Sequence, residues 1–313
     1  MSSPPPRAAV GVGTRGSALA RIQTEHVVGL LRAAWPDLEC ELRPIVTQGD
    51  RTQASGEPLP EIGGKGLFTA ELEAALRDGE IDLAVHSLKD LPTEDSPGIA
   101  LGAVCEREDV RDCIVARDGL TLAALSGGAV VGTSSLRRAA QLRALRPDLE
   151  VRSIRGNVDT RIRKVREGEF DAVVLAAAGI RRLGVEDVVT EYLDGMLPAP
   201  GQGALAVQCR ADDDDVLELL AAIDDAPARA ATTAERGFLR ALGAGCTAPV
   251  AAHARVLEPL GGWTVLLDAL VASVDGTRVV RVSGEGVPDE VGERLARDAL
   301  AAGADEILAT IRG

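Results

Sequence analysis

The sequence predicts two α/β units followed by a smaller α+β domain. Three observations carry this. Short apolar strand-like runs alternate with helical stretches through the first two hundred residues. Three strand-to-helix junctions carry small residues and arginine, at the carboxyl ends of strands where open α/β sheets bind ligands. Beyond about Pro227 the alternation gives way to one helix, successive strand signals and closing helical segments. At 313 residues the chain is long enough for two or three domains, each with a core. Only 2% of residues are aromatic against 46% hydrophobic, so those cores must be built from Ala, Val and Leu.

Taken in order, Ala8 to Val12 reads as a strand and Gly13-Thr14-Arg15-Gly16-Ser17 as a turn. A helix follows with apolar Leu19, Ile22, Val27, Leu30 and Leu31. Glu39 to Val46 is a strand broken by Pro44. Residues 47–66 are polar and rich in Gly and Pro, too long for an ordinary connection, and read as a mobile loop or lid. Gly66 to Arg77 is a helix, and Ile81 to Val85 a buried strand. A second α/β unit contains the strands Ala129 to Gly132, Val151 to Ile154 and Ala172 to Ala176, with a helix from Leu136 to Leu145. Pro198 to Gly203 is a crossing segment leading to a strand, Ala204 to Gln208, and a helix, Asp212 to Ile223, whose acidic start suits a helix N-terminus better than a metal. A helix from Ala228 to Leu242, strands at Thr264 to Val271 and Val279 to Ser283, and helical segments from Asp289 to Ile311 complete the chain. No internal sequence repeat is visible.

Charge is distributed unevenly. The chain carries 34 Lys+Arg against 48 Asp+Glu, yet the stretch from Thr133 to Arg182 holds 12 basic and 6 acidic residues, leaving +6 there and −20 elsewhere. Such an island is either a solvated basic face or a site for an anion, since guanidinium binds carboxylate or phosphate with two parallel hydrogen bonds. Placement favours the anion. Thr133-Ser134-Ser135 supplies N-cap hydroxyls, so Arg137 and Arg138 fall in the first helical turn, where an exposed cation costs about 0.3–1 kcal/mol against the helix dipole. An anion bound at that terminus would justify the cost. Arg155 and Arg161 at the next junction, and Arg15 and Ser17 near the N-terminus, repeat the pattern.

Two further segments carry reactive groups. In His86-Ser87-Leu88-Lys89-Asp90-Leu91-Pro92, Pro92 biases Leu91 away from helix, so Lys89 and Asp90 sit in a loop at a strand's carboxyl end. They are either a solvated turn or an ionised carboxylate available to stabilise a cation or shuttle a proton. His86 reads as a packed strand-end histidine. Gly243-Ala244-Gly245-Cys246-Thr247 surrounds a cysteine with small residues, leaving either an inert thiol or an accessible point of covalent attachment.

Other classes are disfavoured. Three scattered histidines complete no metal set, and Gly63-Gly64-Lys65-Gly66 is not a phosphate-binding P-loop. The acidic balance and lack of interleaved aromatics argue against nucleic acid. No run of 18 apolar residues and no signal-peptide core are present, and five cysteines at irregular spacing suggest reduced thiols, so a cytoplasmic location is expected, with no membrane partner.

Read together, these segments closely resemble the hydroxymethylbilane synthase (porphobilinogen deaminase) family. The matching stretches are Thr14–Ala20, Gly63–Phe68, Ala84–Pro92, Cys105–Asp112, Val131–Arg138, Arg155–Arg161, Ala178–Gly184, Pro200–Ala204 and Ala234–Cys246. They occur in family order along nearly the whole chain, which decides the alternatives left open above. The resemblance implies an α/β protein of three domains around a cleft. Two domains would be like those of periplasmic-type binding proteins, the first of residues 8–105 with 204–224 and the second of residues 110–199. A small α+β domain of residues 227–313 would carry the cysteine loop. It implies a dipyrromethane cofactor joined by a thioether to Cys246, and porphobilinogen as the substrate. Four porphobilinogens would be added head to tail with loss of ammonia, before hydrolysis releases hydroxymethylbilane. Asp90 would contact pyrrole N–H groups, assist departure of ammonia and stabilise the cationic intermediate. Arg15, Ser17, Lys89, Thr133, Ser135, Arg137, Arg138, Arg155, Arg161, Arg182 and Gln202 would bind cofactor or substrate, with Lys65 on the loop over the cleft and Phe68 in the segment closing it. A monomer is expected. Glu61 stands where many relatives carry lysine, and Ala244 replaces a glycine common in the cofactor loop. The main rival is a non-catalytic binding module of similar fold. A cysteine acyl-transfer enzyme would need a base near Cys246, for which His253 is the sequence-near candidate.

Overall fold

The computed structural model describes residues 4–49, 69–244, 248–257 and 262–312. The chain divides into two compact units, Met1–Glu108 with Ala204–Arg229, and Asp109–Gly203 with Ala230–Gly313.

The first unit opens with β1 (Ala9–Thr14) and α1 (Ala18–Ala34), followed by β2 (Glu39–Pro44), α2 (Ala70–Arg77), β3 (Leu83–Ser87) and β4 (Ile99–Val104). The chain later returns to add β10 (Leu205–Arg210) and α6 (Asp214–Ala221). The sheet order is β2-β1-β3-β10-β4. β1 runs parallel to β2 and β3, and β10 runs antiparallel to β3 and β4. Val10 and Val12 of β1 share a core cluster with Val27, Val28 and Leu31 of α1. The buried stripe of α1 also includes Gln23 and Thr24, so the buried face is not the purely apolar one that the helical spacing suggests. β4 has no clear sequence signal because this edge strand alternates neither apolar with polar nor buried with exposed residues.

The second unit begins with β5 (Asp112–Ala116), β6 (Val130–Gly132), α3 (Leu136–Leu145), β7 (Glu150–Arg152), α4 (Val158–Arg166), β8 (Ala172–Ala176), α5 (Ala177–Leu183) and β9 (Glu191–Tyr192). Its sheet order is β7-β6-β8-β5-β9, with β6 parallel to β7 and β8, and β5 antiparallel to β8 and β9. Order and directions therefore repeat those of the first sheet. In each, three parallel strands are joined by an antiparallel strand that follows a crossing of the chain. Separate clusters cover the two faces, one around Ile162, Phe170 and Ile180 and one around Ile114, Leu142 and Leu149.

The same unit continues with α7 (Ala226–Ala241), of which residues 230–241 belong to it, and an antiparallel meander of β11 (Val250–Leu257), β12 (Thr264–Ala272) and β13 (Val279–Gly286). α8 (Pro288–Ala299) and α9 (Asp305–Arg312) close the chain. The closing helical segments are divided at Gly303, whose φ of +98° leaves the helical region. One meander face packs around Phe238 with the helices. The other meets α3 through Ala140, Ala251, Leu270 and Ala272. The approach is closest at Gly276 (φ +75°), where a Cβ would lie 2.6 Å from the Ala140 carbonyl oxygen.

Candidate active site

The first unit gathers its reactive groups where β1 and β3 end. Ser17 caps α1 by accepting the Ala20 amide hydrogen at 3.3 Å. Thr24 donates to Thr14 Oγ1 at 2.8 Å, and Gln23 donates its amide to Ser87 Oγ at 2.9 Å. These contacts explain the polar residues on the buried face of α1. They tie the helix to both strand ends.

After Ser87 the chain makes a single 3-10 turn, Leu88–Asp90. Leu88 and Leu91 are buried and anchor it, with the Leu88 amide donating to the Ala204 carbonyl at 3.0 Å. That anchoring leaves Lys89 half-buried and Asp90 exposed. Arg15, Gln23, Thr69, His86, Ser87 and Asp90 line one pocket. His86 is 5% exposed, and burial, followed by the nearby charge of Arg15, lowers its pKa to about 4. It is neutral at physiological pH, in keeping with a packed strand-end residue.

In the second unit Ser135 caps α3, accepting the Arg138 amide hydrogen at 3.4 Å, and Thr133 Oγ1 accepts that of Ser135 at 3.2 Å. Arg137 and Arg138 occupy the first turn as expected. Neither points outward: they are 5% and 7% exposed. Both close on Asp112, which has no solvent exposure. Arg137 donates to Asp112 Oδ2 at 2.7 Å and to the Leu197 carbonyl at 2.7 Å. Arg138 donates to Oδ1 through Nε at 3.1 Å and Nη2 at 2.8 Å, and to the Val174 carbonyl at 3.2 Å. Gln202, also buried, donates to the same Oδ1 at 2.9 Å and to the Val110 carbonyl at 2.7 Å. The two guanidinium groups hold the Asp112 carboxyl well below the usual carboxylate range despite its burial. Burial pulls the Arg137 pKa down from its usual value.

Arg161 joins this cluster. It donates to the Gly156 carbonyl at 2.7 Å, and burial, then the charge of Arg138, lowers its pKa to about 10. Arg182 donates to the Gly203 carbonyl at 2.6 Å, and Arg155 lies half-buried in the turn before α4. The structure thus brings Thr133, Ser135, Arg137, Arg138, Arg161 and Gln202 together, and attaches Arg182 to the segment that carries Gln202. Lys65, Phe68, Glu61 and Cys246, and all but the first three residues of the expected loop 47–66, lie outside the described residues. Ala244 is buried, its methyl part of the core around Phe238. His253 sits on β11 opposite Asp268.

Two residues with no assigned role in the sequence reading organise the site. Asp112 is one. Its signal was a charged residue opening an otherwise apolar strand. Glu235 of α7 is the other: its fully buried carboxylate accepts the Gly201 amide hydrogen at 2.7 Å and that of Ala254 at 2.8 Å.

The donor set suits a polycarboxylate. Two buried guanidinium groups face one carboxylate, Arg161 adds a further cation near Arg138, and Arg137 Nε is buried with no partner among the described residues. Residues fit to hold the carboxylates of a dipyrromethane are therefore present. No group of His, Cys, Asp and Glu among the described residues is arranged to hold a metal.

Residues 10–218 match the family model for the porphobilinogen deaminase dipyrromethane cofactor binding domain, and residues 230–301 match that for its C-terminal domain. The chain belongs to the porphobilinogen deaminase family. Porphobilinogen deaminase of Roseiflexus castenholzii is 50% identical over 307 residues, covering 97% of this chain and 99% of that one. That of Acidothermus cellulolyticus is 50% identical over 306 residues, covering 95% and 90%, and that of Brevibacillus brevis 47% identical over 303 residues, covering 96% of each. As a porphobilinogen deaminase family member the chain is a transferase of tetrapyrrole synthesis. The periplasmic VFT2 domain of Bordetella pertussis BvgS has a TM-score of 0.41 at 18% identity, over 69% of this chain and 86% of its own, a likeness too loose to bear on function.

Proposed function

We propose that this chain condenses four porphobilinogen molecules head to tail, with loss of ammonia, on a dipyrromethane held by Cys246, and then releases hydroxymethylbilane by hydrolysis. The observation that carries the reading is the excess of buried guanidinium over carboxylate around Asp112. Each porphobilinogen brings an acetate and a propionate, so the growing chain is a polyanion, and arginine forks recognise carboxylates in pairs.

Within this reading Arg137, Arg138, Arg155, Arg161 and Arg182 bind carboxylates, with Thr133, Ser135 and Gln202 supplying neutral hydrogen bonds. Arg15, Ser17, Lys89 and Lys65 likewise bind cofactor or substrate. Asp90 accepts hydrogen bonds from pyrrole N–H groups. Its negative charge stabilises the cation that develops on the substrate ring as ammonia departs. Its place on a tight turn anchored by Leu88 and Leu91 fixes that charge with little reorganisation. When bound, the dipyrromethane supplies the free pyrrole carbon to which the first substrate is joined. Neutral His86 shapes the pocket without competing for the Asp90 charge.

The reading keeps three domains, because the meander has a core of its own. It also places a monomer in the cytoplasm. The net charge of −14 disfavours self-association, and Cys40, Cys113 and Cys209 are free thiols, which fits a reducing compartment. Among the described residues no helix is long and apolar enough to cross a membrane.

Intact-protein mass measurement tests the proposal. The purified chain should carry an adduct of two pyrrole units, absent in Cys246→Ser, and should lengthen by single pyrrole units on addition of porphobilinogen. A chain that carries no adduct and acquires none from porphobilinogen would refute it.

A further inference from the structure

We propose that Asp112 is a positioning residue: an internal carboxylate that holds Arg137, Arg138 and Gln202 in their binding geometry before any substrate carboxylate arrives. The inference rests on the reading of those three residues as ligand-binding groups.

The geometry is that of a hub. One carboxylate with no solvent exposure accepts from both arginines and from Gln202 at 2.7–3.1 Å. Each arginine is held from a second direction by a backbone carbonyl, Leu197 for Arg137 and Val174 for Arg138. Two neighbouring buried guanidinium groups repel each other strongly in a medium of low dielectric, so neither would keep its place without an anion between them. Asp112 supplies that anion from the first residue of β5, where strand pairing with β8 fixes its backbone. The neutralisation is incomplete by design of the charge count. Two arginines face one carboxylate, Arg161 adds a third cation beside Arg138, and Arg137 Nε stays buried and without a partner among the described residues. Positive charge and one unmatched donor therefore remain in excess of the Asp112 carboxylate.

A preset donor array is worth more than the same groups left to find their positions on binding. Loss or misplacement of Asp112 should therefore act on kinetics and not only on stability. Asp112→Glu keeps the charge but moves the carboxylate by about one bond length, a displacement of the size that costs about 100-fold when it disturbs reacting geometry. Asp112→Asn removes the charge and leaves the arginines open to anions from solution.

The test compares kcat and KM for porphobilinogen, inhibition by sulfate, and thermal unfolding in the wild-type chain, Asp112→Glu, Asp112→Asn and Arg137→Ala. The proposal expects folded Asp112→Glu to lose at least tenfold in kcat/KM, with shortened intermediates accumulating in intact-mass spectra. It expects sulfate to inhibit Asp112→Asn at a concentration at least fivefold lower than the wild-type chain. Folded Asp112→Glu with kcat and KM within twofold of wild type would overturn it, even if the variant unfolds at lower temperature, because a purely structural carboxylate predicts that result. If Asp112→Asn does not accumulate as folded protein, Asp112→Glu decides alone. Arg137→Ala separates the two levels. Normal kinetics in that variant removes the ligand-binding reading itself, whereas impaired Arg137→Ala beside normal Asp112→Glu removes only the positioning role.

Discussion

The Glu235 carboxylate accepts the amide hydrogen of Gly201 at 2.7 Å, fastening the segment that carries Gln202 to helix α7. Its other oxygen accepts from Ala254 of β11 at 2.8 Å, so one buried side chain satisfies two backbone donors from separate elements. Each buried donor left without a partner costs about 1–3 kcal/mol. Glu235→Ala should accordingly lower the unfolding free energy by about 2–5 kcal/mol, and Glu235→Gln by less, because its carbonyl oxygen still accepts. Denaturant titration of both variants checks the order, and equal stability of Glu235→Ala and wild type would remove the bridge from the account.

Asp90→Asn should leave the dipyrromethane adduct in place and abolish release of tetrapyrrole. The substitution preserves shape on the tight turn Leu88–Asp90 and removes only the charge proposed to stabilise the departing-ammonia step. Turnover should fall at least a hundredfold with the thermal midpoint within a few degrees of wild type. Retained turnover would move the catalytic charge elsewhere.

His86 gives the fold a specific acid sensitivity. In the unfolded chain an imidazole titrates near its usual pKa of about 6.5; in the folded chain burial lowers that to about 4. Between these values the unfolded state binds the extra proton, so stability is fully present above the upper value and falls as pH drops toward the lower one. The His86 share of the loss is about 3 kcal/mol at pH 4. Subtracting the stability–pH curve of His86→Gln from that of wild type should reveal this slope between pH 6.5 and 4. A flat difference would show that His86 is not buried neutral. Asp112 acts in the same direction at lower pH, since its depressed pKa confers stability that is lost as pH falls below the ordinary carboxylate range.

Gly276 allows α3 and the meander to meet. A Cβ there would lie 2.6 Å from Ala140 O and 2.7 Å from Ala144 N, both backbone atoms, and φ is +75°. Gly276→Ala should destabilise by more than 1 kcal/mol through strain and overpacking together. Because α3 carries Arg137 and Arg138, the variant should also raise KM for porphobilinogen. A neutral effect on both would mean that α3 and the turn separate without cost.

Much of the local structure was legible along the chain. Ser135 as the cap of α3, Arg137 and Arg138 in its first turn, and Asp90 on a tight turn after β3 all follow from neighbours within four residues. The helix from Leu136 to Leu145 and the strand from Ala172 to Ala176 fall on their expected bounds. β4 and β5 were not anticipated, although β5 lies inside the second unit that was. The repeated strand order of the two five-stranded sheets was also invisible, because backbone pairing sets strand order and leaves no matching side-chain pattern.

The amino-acid order pointed to an anionic ligand, through arginines concentrated in an acidic chain, and to the local conformations that place them at strand ends. It did not reveal what those arginines pair with in the fold. Asp112 lies 25 residues before Arg137, and Gln202 lies 90 residues beyond Asp112, so their union depends on which strands lie side by side. Capping and turn preferences act over one helical turn. Charge pairing in a buried site acts through space, and only the completed fold brings those charges within reach of one another.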